Sequence, residues 1–130
     1  METVLPTGWK RPSGYSNGVV AQGRLLFVAG QIGWEPTACQ FTTDDFVQQF
    51  DRALSNVVAV VRAGGGEANH IARLTIYVTD KRAYLGSLAE IGASYRANLG
   101  RHYPAMALVQ VSALVEDRAQ VEIEATAVIP

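Results

Sequence analysis

The chain has 130 residues, of which 48% are apolar and 18% charged, with a formal net charge of −1. That is the length of one domain with apolar material for a packed core, and it argues against disorder. The charge balance disfavours a nucleic-acid groove, no apolar run reaches membrane-spanning length, and residues 1–6 lack the basic and apolar regions of a secretion signal. We therefore read residues 1–130 as a single domain in the cytoplasm. The lone cysteine, Cys39, fits that reducing compartment and reads as an exposed loop thiol.

Residues 1–14, rich in Pro, Gly and Thr, are expected to run extended over the surface. Residues 18–22 and 24–30 read as a hairpin turning at Gly23, with Leu25-Leu26-Phe27-Val28-Ala29 apolar on both faces like a central strand. A loop over 31–42 holds Gly33, Pro36 and Cys39. The first helix is predicted to start at Thr42 or Thr43, whose hydroxyl would accept from a free first-turn N–H. Phe46, Phe50, Leu54, Val57 and Val61 then recur at helical spacing as one apolar stripe. Gly64-Gly65-Gly66 stops it, since glycine enters the left-handed conformation cheaply. The run is not a phosphate cradle, because it lacks the lysine and the following helix.

Residues 72–79 alternate as a strand, with Leu74, Ile76 and Val78 on one face. Asp80 can cap a second helix with the stripe Tyr84, Leu88, Ile91, Tyr95 and Leu99, ended by Gly100. Two strands follow. The last alternates strictly: Val121, Ile123, Ala125 and Ala127 face one way, Glu122, Glu124 and Thr126 the other. Two like charges so close on one face imply a partner or a task for at least one.

The order is β-β-α-β-α-β-β, an α+β fold with both helices on one face of a mixed sheet. Met106, Leu108, Leu26 and Val28 are expected on the other face. Such an apolar face needs a second cover, and another copy of the chain is the simplest one.

Six stretches occur in order along the chain: Gly14-Tyr15-Ser16-Asn17-Gly18-Val19, Phe27-Val28-Ala29-Gly30-Gln31-Ile32, Arg52-Ala53-Leu54-Ser55-Asn56-Val57, Thr75-Ile76-Tyr77-Val78-Thr79-Asp80, Tyr103-Pro104-Ala105 and Val121-Glu122-Ile123-Glu124-Ala125. As a set they resemble the RidA/YjgF/UK114 family. The resemblance implies a fold like the chorismate mutase of bacilli, in a homotrimer whose sheets form a central barrel with three intersubunit clefts. It implies enamine or imine deamination in those clefts, on a small-molecule ligand and without metal or organic cofactor. Tyr15 matches the family's cleft tyrosine, and Gly30 and Gln31 match its Ser-Gly-Gln turn, with Ala29 in place of the serine. Gly92 stands where an asparagine is often found. Glu122 matches the glutamate thought to hold the attacking water. Met106 stands where deaminating members carry the arginine that grips the substrate carboxylate.

The last departure matters most. A guanidinium fork binds a carboxylate bidentately, whereas a thioether is a weak acceptor on an apolar stem. A charge-assisted pair is worth about 1.5–3 kcal/mol. A Met106 cleft should handle small α-imino acids poorly, unless Arg24, Arg96, Arg101 or His102 anchors the carboxylate instead. Ala29, Gly92 and Met106 together also support a second reading, a non-catalytic trimer that binds a metabolite or a protein. Glu124 reads as structural. His102 reads as a residue of the cleft mouth or a surface histidine, and His70 as exposed. The two histidines have no neighbouring ligands at metal-binding spacing.

Overall fold

A computed structural model describes residues 1–130. Strands β1 (Glu2–Val4), β2 (Gly18–Val20) and β3 (Arg24–Ile32) precede helix α1 (Phe46–Ala63). A 3-10 turn at Ala68–His70 leads into β4 (Ile71–Val78). Helices α2 (Lys81–Leu85) and α3 (Leu88–Leu99) then lead to β5 (Ala105–Gln110) and β6 (Val121–Ile129).

The fold is α+β. A four-stranded mixed sheet has the order β3-β6-β4-β5, with β6 antiparallel to both neighbours and β4 parallel to β5. The α2–α3 connection supplies the crossover that a parallel pair requires. Phe50, Leu54, Val57 and Val61 of α1 and Ile91 and Leu99 of α3 close over Leu74, Ile76, Val78, Val121 and Ile123 of the sheet. Each fully buried large side chain here contributes about 1.5–3 kcal/mol. The rings of Phe50 and Tyr95 meet edge-on at 5.2 Å and tie the two helices together.

Several local details differ from expectation. The α1 cap is Asp45, whose Oδ2 accepts from the Gln48 N–H at 3.0 Å; Thr43 instead accepts from the Asp45 N–H at 3.0 Å. The helix ends as expected in the glycine run, where Gly65 takes a φ of +90°. Asp80 does cap α2, but Gly86 and Ser87 interrupt the second helix, so Leu88 starts α3 from an exposed position.

The expected β2–β3 hairpin does not form. β2 pairs antiparallel with β1, Thr3 opposite Val19, and β3 pairs antiparallel with β6. The first residues are therefore partly a strand. Gly23 is a crossing point: a Cβ there would lie 2.3 Å from the Ile129 carbonyl oxygen, at a φ of +151°. Glycine serves a close backbone approach at that position.

The bare face of the sheet is also not lined as expected. Met106 and Leu108 lie beside Leu74 and Ile76 in register, and Leu26 and Val28 beside Ala127 and Ala125. All four therefore pack towards the helices. The opposite face carries Leu25 and Phe27, 62% and 73% exposed, with Val109, Arg73, Thr75, Tyr77, Glu122 and Glu124. An uncovered face with apolar residues exists, but the alternate residues of β3 and β5 form it.

Candidate functional site

Glu122 and Glu124 share the bare face of β6 and have different surroundings. The Tyr77 hydroxyl donates to Glu124 Oε1 at 3.0 Å across the β4–β6 pair. That hydrogen bond, with burial and the two carboxylate charges behind it, raises the tyrosine above its ordinary pKa of 10.0. Glu124 thus has a structural partner. Glu122 makes no hydrogen bond or ion pair within the chain.

Glu122 instead lies against Gly30, where a Cβ would come within 2.6 Å of Glu122 Oε2. The β3–β6 register passes from Val28–Ala125 to Gln31–Ile123, so Ala29 and Gly30 together face one residue of β6. This is a bulge, which leaves backbone groups outside the ladder and turns the strand. The Gln31 side-chain amide donates to the Ala29 carbonyl at 3.1 Å and fills part of that gap.

The bulge is held from below. Asn56, on the buried side of α1, donates to the carbonyls of Ile32 at 3.1 Å and Trp34 at 3.0 Å. Gly33 presses so closely on α1 that a Cβ would sit 2.6 Å from the Gln49 Cα. Gln49 is fully buried; it donates to the Thr43 and Arg118 carbonyls and accepts from the Gln120 N–H. The sequence pattern alone assigns a role to neither side chain. Their signal is a pair of amides seven residues apart beside the α1 stripe, where apolar residues would pack more simply.

Met106 lies on the other edge strand, β5, the Tyr15 segment runs beside its start, and Gly92 lies on α3. The Ser16 N–H donates to the Pro104 carbonyl at 3.1 Å and its hydroxyl to the Tyr103 carbonyl at 2.5 Å, so the Tyr15 segment runs beside the start of β5. Tyr15 itself is 41% exposed and lines a cavity of about 380 Å³ with Arg11, Gly14 and Tyr103. A neighbouring cavity of about 210 Å³ contains Gly92, Tyr95 and Arg96. Met106 is half-buried, and its sulfur accepts from the Tyr95 hydroxyl at 3.5 Å. The Tyr84 hydroxyl lies 3.0 Å from the same oxygen. Burial pushes both tyrosines above their ordinary range.

The seven candidate residues thus form two clusters. Ala29, Gly30, Gln31 and Glu122 lie on β3 and β6, with Glu122 on the bare face. Tyr15, Gly92 and Met106 lie by β5, with Met106 on the helix face. β3 and β5 are opposite edges of the sheet, three strand spacings or about 14 Å apart. The two clusters do not meet within one chain.

The basic candidates are dispersed. Arg24 approaches Gly65, with Nη2 3.6 Å from where a Cβ would be. Arg101, His102 and His70 line a cavity of about 520 Å³ between β1–β2 and the end of β6. Both histidines are half-buried there: His102 Nε2–H donates to the Ile71 carbonyl, and His70 Nδ1 accepts from the Glu67 N–H. Cys39 is exposed at a φ of +53°. No helix is long and apolar enough to cross a membrane.

Comparison with known proteins agrees with this architecture. The family model described as endoribonuclease L-PSP matches residues 9–129. Protein DfrA of Myxococcus xanthus is 39% identical over 119 residues, covering 88% of this chain and 84% of the relative. The 2-iminobutanoate/2-iminopropanoate deaminase of Mus musculus is 32% identical over 105 residues, covering 81% of this chain and 74% of its own. Among solved structures, YyfB of Yersinia pestis, a protein of the conserved Rid family, superposes with a TM-score of 0.85 at 30% identity over 98% of both chains.

Proposed function

The chain belongs to the RidA/YjgF/UK114 family, and from that membership we propose that it is a homotrimeric hydrolytic deaminase of an enamine or imine metabolite. Its cleft forms between subunits: the Glu122 cluster of one chain faces the Tyr15–Met106 cluster of the next. Two features support the assembly. The bare sheet face exposes Phe27 and Leu25, and the two clusters lie on opposite edges of one sheet. A neighbour covers the face and completes the site in one step.

The observation that carries the chemistry is Glu122, an unpartnered carboxylate held over the side-chain-free Gly30. Its neighbour Glu124 is occupied by Tyr77. In the proposed reaction an enamine first tautomerises to the imine. Glu122 accepts a proton from a water as that water's oxygen attacks the C=N carbon. Glu122 passes that proton to the nitrogen, giving the carbinolamine; it then carries the hydroxyl proton to the amine, the C–N bond breaks, ammonia leaves, and a carbonyl compound remains. Backbone N–H groups freed at the Ala29–Gly30 bulge are available to the developing charge. Tyr15 orients the ligand, and Gly92 and Met106 form an apolar wall. With Met106 in the arginine position, the substrate is one other than the small α-imino acids that such an arginine selects. No step calls on a cofactor or metal, and the net charge of −1 gives no support to cleavage of RNA.

Imines generated by an amino-acid oxidase and trapped with semicarbazide provide the test. The protein should outpace spontaneous hydrolysis for at least one imine of a broad panel, and Glu122→Gln should lower that rate about 10²–10⁴-fold. No acceleration for any imine would sink the catalytic reading. The second reading, a trimer that only binds a metabolite, rests on Ala29, Gly92 and Met106, none of which brings a charge or polar hydrogen into the cleft. It gains ground if ligands bind equally to wild type and Glu122→Ala and turnover never appears.

A further inference from the structure

We infer that Arg96 is the anion anchor of this cleft, so that the ligand carries a carboxylate and crosses the apolar surface of Met106 to reach it. The inference rests on the intersubunit-cleft reading above. Arg96 is exposed on α3, one turn beyond Gly92, and has no ion pair and no hydrogen bond through its guanidinium. The guanidinium folds back over Gly92: Nη1 lies 3.3 Å from the point where a Cβ would project. Residues four apart on a helix share one face, so a side chain at position 92 would compete for that space.

The cavity beside it has the composition of an anion site. Its volume is about 210 Å³, and none of its nine lining residues is acidic. Arg96 supplies the fixed positive charge, while Ser13 and Tyr103 offer donors around it. Tyr95 is the wall between this cavity and Met106, its hydroxyl touching the sulfur. Gly14 of the same lining precedes Tyr15. The arginine absent from position 106 thus has a functional equivalent on the neighbouring helix, displaced and approached through an apolar wall. A planar guanidinium free of protein carboxylates is the group best matched to a ligand carboxylate. The ligand class is a monocarboxylic acid with an apolar body between the carboxylate and the reacting carbon.

The test separates binding from turnover. 5-Oxohexanoate, whose three methylenes separate the carboxylate from the carbonyl carbon, serves as the probe, with uncharged 2-hexanone as its control, in a titration followed by amide chemical shifts. Light scattering checks that each variant keeps the wild-type assembly. Wild type should bind 5-oxohexanoate at least about tenfold more tightly than 2-hexanone, and Arg96→Gln should abolish that difference. Arg96→Lys should restore part of it, since a point charge replaces a fork. Gly92→Ala, with Arg96 retained but displaced, should weaken the keto acid several-fold. Equal binding of the keto acid to wild type and Arg96→Gln, or no preference for the keto acid in wild type, overturns the assignment. Failure of the deaminase reading looks different: no imine turns over, yet Arg96→Gln still loses the anion.

Discussion

The two faces of β6 answer to different demands. Val121, Ile123 and Ala127 are fully buried against the helices, and their role is the fold. Glu122, Glu124 and Thr126 alternate with them along the same nine residues and point to a face that no element of the chain covers. Side-chain alternation therefore makes one strand both a core element and a site element. A change on one face should alter stability and spare chemistry, and a change on the other should do the reverse.

Removing core volume should give the largest effect. Leu74→Ala deletes a fully buried side chain beneath the helices. It should cost about 2–5 kcal/mol in urea unfolding at fixed protein concentration, without altering the groups around Glu122. A loss below 1 kcal/mol would mean that the helix-covered face is not the core. On the bare face, Phe27→Glu puts a charge where a neighbour should lie. About 1.5–3 kcal/mol per chain of apolar burial would be lost at the interface. Light scattering should move from the mass of three 14.0 kDa chains towards one. An unchanged mass would remove the assembly from the comparison.

Gly30→Ala sharpens the contrast at the site. The new methyl would collide with the Glu122 carboxylate, which can swing away without unfolding the strand. Deamination should fall at least about tenfold, which is about 1.4 kcal/mol in the barrier, while the urea midpoint stays close to wild type. Equal losses of stability and rate would count against a positioned carboxylate.

The smallest effect is one of pH. Tyr95 is held above 10.0 in the fold, first by burial and then by Tyr84, and returns to about that value on unfolding. The unfolded chain therefore loses this proton first. The contribution is intact below pH 10 and declines as pH rises, by about 1 kcal/mol from pH 10 to 11. Tyr95→Phe should flatten that slope, and an unaltered slope would place Tyr95 in a wetter setting than this fold gives it.

Much of the architecture was legible because it rests on periodicity. The stripe from Phe46 to Val61 predicts α1, and the alternation from Val121 to Val128 predicts β6 and the shared face of its two carboxylates. Gly100, with a φ of +65°, ends α3 as its position suggests. Strand pairing was less legible. Gly23 reads as a hairpin turn from its neighbours alone, yet it serves an approach to Ile129, over a hundred residues away. Asn56 and Gln49 read as ordinary helix residues because their partners lie on loops distant in sequence.

By itself the sequence determined the α+β class, the order of the main elements, the family and a glutamate on the uncovered side of the last strand. Tertiary structure decided which residues of β3 and β5 face the helices, turning Met106, Leu108, Leu26 and Val28 inward and Leu25, Phe27 and Val109 outward. A strand apolar on both faces carries the same period in either phase, and only packing against α1 and α3 selects one. Tertiary structure likewise separated the candidate residues onto opposite edges of the sheet, because strand order depends on long-range hydrogen bonding that local pattern does not encode.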